Sequence, residues 1–131
     1  MNNYLQYPFD RFWVSDKTKH TITLGTLEDF QEIYSPGKGE LKSTSKDEVL
    51  LLLPFDDFDI ELVLYPVQKY KEGTFERGEP IGFALDGHME VHAIKKANRE
   101  YKVNPLTILF VHKHQACISS VPYATPKTLI R

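Results

Sequence analysis

The chain is poor in the residues that staple, span or carry reactive groups. It has one cysteine, Cys117, in 131 residues, which excludes an internal disulfide and suits a reducing compartment. No apolar run approaches the roughly 18 residues that a membrane-spanning helix needs. The start, "MNNYLQYPFDRFW", lacks the basic and apolar regions of a secretory leader. There is no excess of positive charge either: 16 Lys and Arg against 18 Asp and Glu give a net charge of −2. Nucleic acid is therefore not an expected partner, and neither is a membrane. Phosphate-cradling glycine loops, a dinucleotide fingerprint and a nucleophile elbow are all missing. What remains has the 41% hydrophobic and 26% charged content of a single cytoplasmic domain spanning 1–131.

Hydrophobic patterning supplies the elements. "HTITL" (20–24) alternates as a strand, and "TLEDFQEIYSPG" follows with Thr26 as a helix cap. Leu27, Phe30 and Ile33 or Tyr34 form its stripe, and Ser35-Pro36-Gly37 ends it. A short exposed strand fits residues 40–43, and "VLLLLP" (49–54) and "IELVLYP" (60–66) read as buried strands joined by "FDDFD". "IGFAL" (81–85) is a further strand, and "DGHMEVHAIKKANREY" is the longest helix candidate. "LTILFV" (106–111), "ACISSV" (116–121) and "KTLI" (127–130) complete the strands. Strand, helix and strands recur at an offset of about 60 residues, a repeat of pattern alone.

Histidines give the most chemical-looking stretches. In "GHMEVH", His88 and His92 are spaced to share a helix face. That face also carries Lys95, Lys96, Arg99 and Lys102, which favours a solvated surface over a metal site. "VHKH" sets His112 and His114 where the chain turns, and a polar turn is favoured there. A zinc hydrolase built on all four ranks last, since helix and strand would have to present them to one point. Cys117 reads as a packed thiol without a local base. "PFDDFDIE" groups Asp56, Asp57 and Asp59 around Phe55 and Phe58, without the glycine and glutamate of a calcium loop. It reads as a hairpin turn, or as an acidic-aromatic anchor for a partner protein with a basic surface.

"KHTITLGTLEDFQEIYS", "IELVLYP" and "PIGFALDGHMEVHAIKKANREY" resemble, in pattern, the vicinal oxygen chelate group of glyoxalases, extradiol dioxygenases and bleomycin-resistance proteins. That resemblance implies an α+β fold of two βαβββ modules, 20–66 and 80–131, after an N-terminal extension, 1–19. Curled mixed sheets would enclose a cavity with the helices packed outside, and relatives often pair as homodimers. Carried over, His20 and Glu61 match two positions that hold a divalent metal. The second module departs from the pattern: Pro80 falls where a ligand belongs, and neither "ACISSV" nor "KTLIR" supplies the closing glutamate. Two ligands of four point to a small-molecule-binding member without a complete catalytic metal site. Tyr65 and Phe83 would line its pocket with His20 and Glu61, around an apolar or aromatic ligand. The alternative is a small inhibitor or immunity-type protein that blocks a partner through residues 55–59.

Overall fold

A period of two, not of 3.6, organises this molecule. The computed structural model describes residues 5–118. Its strands are β1 (Leu5–Gln6), β2 (Arg11–Lys17), β3 (Thr21–Gly25), β4 (Glu32–Tyr34), β5 (Gly39–Ser45), β6 (Glu48–Pro54) and β7 (Asp59–Tyr65). They continue as β8 (Val67–Lys69), β9 (Gly73–Phe75), β10 (Pro80–Ala84), β11 (His88–Lys96), β12 (Glu100–Val103), β13 (Leu109–Phe110) and β14 (Ala116–Cys117). The large sheet runs β14-β2-β3-β11-β7-β6-β5-β9, with β12 also paired to β11. A small sheet, β4-β10-β8, and a parallel pair, β1-β13, complete the architecture.

Alternation sorts the central strands into two faces. Ile22 and Leu24 of β3, Met89, Val91 and Ala93 of β11, Ile60, Leu62 and Leu64 of β7, and Val49, Leu51 and Leu53 of β6 are buried. Register aligns them into rows: Ile22 pairs with Val91, Val91 with Leu64, and Leu64 with Val49. Packed against this face are Phe9 and Phe12 from the N-terminal segment, Ile33 and Ile81 from the small sheet, and Leu109. One aliphatic and aromatic core results.

The α+β plan is overturned. Among the described residues the only helical element is a 3-10 turn, Pro105–Thr107, started by Asn104, whose side chain accepts from the Leu106 amide. Among these residues no helix packs outside the sheets, and none is long and apolar enough to cross a membrane. The segment expected as the first helix runs through bends into β4. Its intended cap, Thr26, donates its hydroxyl to the Glu28 carbonyl instead, a local turn that competes with helix formation. The expected second helix is the β11–β12 hairpin. Both edges of β11 find partners, with β7 along 90–96 and with β3 and then β12 along the other side. Those pairings satisfy backbone groups that a helix would have satisfied internally.

Residues 106–111 give the 3-10 turn and two residues of strand rather than six. The supposed extension, 1–19, includes a full strand of the large sheet. The exposed strand near residue 40 and the hairpin at 55–58 are present, the latter closed by the Phe55 amide donating to the Phe58 carbonyl at 2.8 Å. The strand expected at 127–130, and the end of that at 116–121, lie outside the described residues.

Leu62 sits between β6 and β11 with none of its surface exposed. Leu62→Ala is expected to lower stability by about 2–5 kcal/mol in chemical denaturation. A near-neutral result would contradict this packing.

Candidate functional site

The small sheet carries the most distinctive surface. In β4, Glu32, Ile33 and Tyr34 alternate, so that Ile33 enters the core while its neighbours stay partly exposed. On β10, Phe83 lies opposite Glu32 on one side and Gln68 of β8 on the other. The neighbouring Gly82 faces Lys69, and a Cβ at Gly82 would collide with the Gln68 carbonyl. Glycine thus lets β8 close up, which brings Tyr70, just beyond β8, beside Phe83. The Tyr70 amide donates to the Ile81 carbonyl at 2.9 Å and holds it there.

Four aromatic rings gather around one carboxylate. Phe30 meets Phe83 edge-on at 5.9 Å between centroids, and Tyr70 lies 6.2 Å from Phe83 on the other side. The Tyr70 hydroxyl donates to Glu32 Oε2 at 2.6 Å, and the Tyr34 hydroxyl donates to Glu32 Oε1 at 3.2 Å. Phe30 is 65% exposed and Tyr70 52% exposed. The hydrogen bond to Glu32, more than partial burial, pushes the Tyr70 phenol up to about 12. Burial first, then Asp10 and Glu32, raise Tyr34. Both phenols are therefore neutral donors at pH 7. Among the described residues no Lys, Arg or His forms an ion pair with Glu32. A carboxylate held only by phenols, beside exposed ring faces, is suited to an incoming cation.

The residues read from the sequence fall in several places. Phe83 is at the centre of this cluster. His20, Glu61 and Tyr65 belong instead to the outer side of the large sheet. Glu61 is largely buried and pairs with Lys96, which also reaches Glu100 at 3.5 Å. That contact with Glu61 is the main reason the Lys96 ammonium is raised above its usual range. Tyr65 is 44% exposed and lies four residues along β7 from Glu61, about 13 Å on an extended strand. His20 borders a shallow cavity of about 310 Å³ with Thr21, Glu48, Val63, His92, Ile94 and Lys102, without Glu61. Glu61 is thus committed to an ammonium, and no group of three or more metal-ligating side chains occurs among the described residues.

His88 and His92 lie on the outer side of a strand, not on a helix face. His92 Nδ1 is 3.4 Å from the Thr21 hydroxyl and its Nε2 3.4 Å from Glu90 Oε1. His112 and His114 lie in a turn, as their context suggested. At residues 55–59 the two phenylalanines stack on each other at 5.1 Å, and Lys95 covers Phe58 at 4.4 Å. That hairpin offers solvent its carboxylates, Asp56, Asp57 and Asp59, more than its rings. Cys117 is exposed rather than packed.

Glu32 and Tyr70 were not singled out from the sequence, and Phe30 and Tyr34 were assigned to a helical stripe rather than to a site. The usable signal was the polar–apolar–polar step Glu32-Ile33-Tyr34, which is strand-like but was absorbed into a helical stripe. No family model and no curated protein sequence matches the chain.

Glu32→Gln should bring the Tyr70 phenol back toward its ordinary value of 10.0, read as an earlier rise of phenolate absorbance in an alkaline titration. The raised value means that the contact contributes fully below about pH 10 and is lost as pH climbs through about 12. A titration curve unchanged by the substitution would contradict the Tyr70–Glu32 bond.

Proposed function

We propose that this chain is a small binding protein of the inhibitor type, which covers a partner protein by gripping a basic side chain in the aromatic cluster of the small sheet. The observation that carries this reading is the Glu32 carboxylate, bound by two phenols and no cation, beside the exposed rings of Phe30 and Tyr70. Exposed aromatic area next to an uncompensated carboxylate is unfavourable in water and favourable against Lys or Arg. Order in the sheet gives the grip a direction. Exposed Glu28 and Asp29 precede Phe30 on the β4 side, whereas Lys69 and Lys71 flank Tyr70 on the β8 side. A cation therefore approaches from the β4 side. The carboxylates at 56, 57 and 59 add a second acidic surface that steers association without supplying anchors. The cytoplasm is the proposed compartment, where an exposed lone thiol stays reduced.

The test is affinity capture from the native host, followed by titration of the captured protein with purified variants. Phe30→Ala/Tyr70→Ala should weaken binding by about 10- to 100-fold, in line with loss of interface anchors of 1–3 kcal/mol. Substituting Asn at 56, 57 and 59 should mainly slow association and reduce its salt dependence. A partner held equally well by the double variant would sink the proposal.

A second reading, a small-molecule-binding protein, draws on the cavity bordered by His20 and His92. It calls for a ligand that perturbs the Val63 and Ile94 methyl signals in an NMR fragment screen. A screen that leaves both unmoved counts against it.

A further inference from the structure

The turn between β13 and β14 holds two imidazoles in an arrangement that the proposed partner-binding role does not use. His112 Nδ1 and His114 Nδ1 face each other at 2.7 Å, with ring centroids 4.6 Å apart. Two lone pairs cannot point at each other at that distance, so a proton lies between them. Two imidazole nitrogens held this close can both turn onto one metal ion.

The turn is built to keep that geometry. The Gln115 amide donates to the His112 carbonyl at 2.8 Å, and the His112 amide donates to Gln115 Oε1 at 2.8 Å. The Gln115 side chain is buried, and its Nε2 donates to the Tyr7 carbonyl and, at 3.0 Å, to the Phe9 carbonyl. The loop is thereby fastened to the N-terminal segment. Asp10 is fixed by the same segment, its carbonyl accepting from the Ala116 amide at 2.8 Å. Its Oδ1 lies 3.6 Å from His114 Nε2. That is an electrostatic contact rather than a hydrogen bond, but it favours the tautomer with the proton on Nε2. His114 Nδ1 is then left as a lone pair facing His112. A carboxylate behind a ligating imidazole is the usual supporting arrangement of metal-bound histidine.

With metal–nitrogen bonds of about 2.0–2.1 Å, ligands at a tetrahedral angle lie about 3.4 Å apart, and ligands at a right angle about 2.9 Å apart. The metal-free separation of 2.7 Å is that of a hydrogen bond, so the rings have to turn and separate only slightly to hold an ion in cis positions, the geometry of tetragonal copper(II) or nickel(II). Arg77 and Lys113 lie close enough to His112 to act on its charge. The same cations oppose a dication, and Asp10 offsets only part of that. The site thus suits the ion that imidazole holds hardest, which in the series of divalent metals is copper(II).

We propose that His112 and His114 bind copper(II) through their Nδ1 atoms, with Asp10 as a positioning residue and water filling the other coordination positions. On binding, the proton between the rings moves to His112 Nε2, so both imidazoles stay neutral.

Copper(II) titrated into tag-free protein by calorimetry should give one site of micromolar affinity, with zinc(II) weaker. His112→Ala and His114→Ala should each weaken it at least tenfold. Asp10→Asn should weaken it by about tenfold and Asp10→Glu by less, while the unfolding temperature without metal stays near that of the wild type. Absence of copper binding, or binding unchanged in the His112→Ala/His114→Ala double variant, would overturn the proposal. Loss of metal-free stability in Asp10→Asn, with copper affinity intact, would remove Asp10 from it.

Discussion

The pairing of β11 along both edges is the constraint on which the rest of this structure depends. Seven of its residues pair with β7, five with β3 and four with β12. It joins the N-terminal hairpin β2–β3 to the meander β5–β6–β7, which have no other strand between them. Without it the large sheet would separate into two pieces, each exposing a row of unpaired backbone groups. Its inward side chains, Met89, Val91 and Ala93, also fill the middle of the core. Backbone satisfaction and apolar burial therefore act through the same nine residues.

That strand is also where the sequence misleads most. Strands at 20–24, 49–54, 60–66 and 81–85 are legible because β-branched or leucine-rich runs bounded by turns have few other uses. "HMEVHAIKKANREY" carries two periods at once. Met89, Val91 and Ala93 recur every second residue, while Ala93, Ile94, Ala97 and Tyr101 make a helical stripe. Met, Glu, Ala and Lys are good helix formers, so local preference tips toward helix. What decides the outcome is the open edges of β3 and β7. The Thr21 and His92 side chains that meet across one of those edges are 71 residues apart in the chain. Strand preference is largely such context. The apparent duplication of strand and helix arose from this misreading together with that of residues 26–34.

Glu61 shows how one wrong element alters the chemistry assigned to a residue. On a helical reading, Lys96 belongs to a solvated face and Glu61 stands without a cation, open to a metal. With β11 in register, Ile94 lies opposite Glu61 and Lys96 is two residues along, so the carboxylate has an ammonium as its partner. Phe83 was legible as an aromatic residue on a strand. The rest of its cluster was not, because Glu32 and Tyr70 are 38 residues apart and meet only through the β4-β10-β8 order.

The same accounting of charges separates the two faces of the protein. On the outer side of the large sheet two carboxylates, Glu61 and Glu100, are answered from within by Lys96. A partner docking there would have to displace those contacts before making its own, and exposed pairs return little when exchanged. On the small sheet Glu32 is answered only by phenols, which lower the cost of its charge without cancelling it. An incoming ammonium or guanidinium there gains a carboxylate and ring faces together and breaks no existing ion pair. Recognition of a basic group is accordingly favoured on the smaller sheet, although the larger one offers more area.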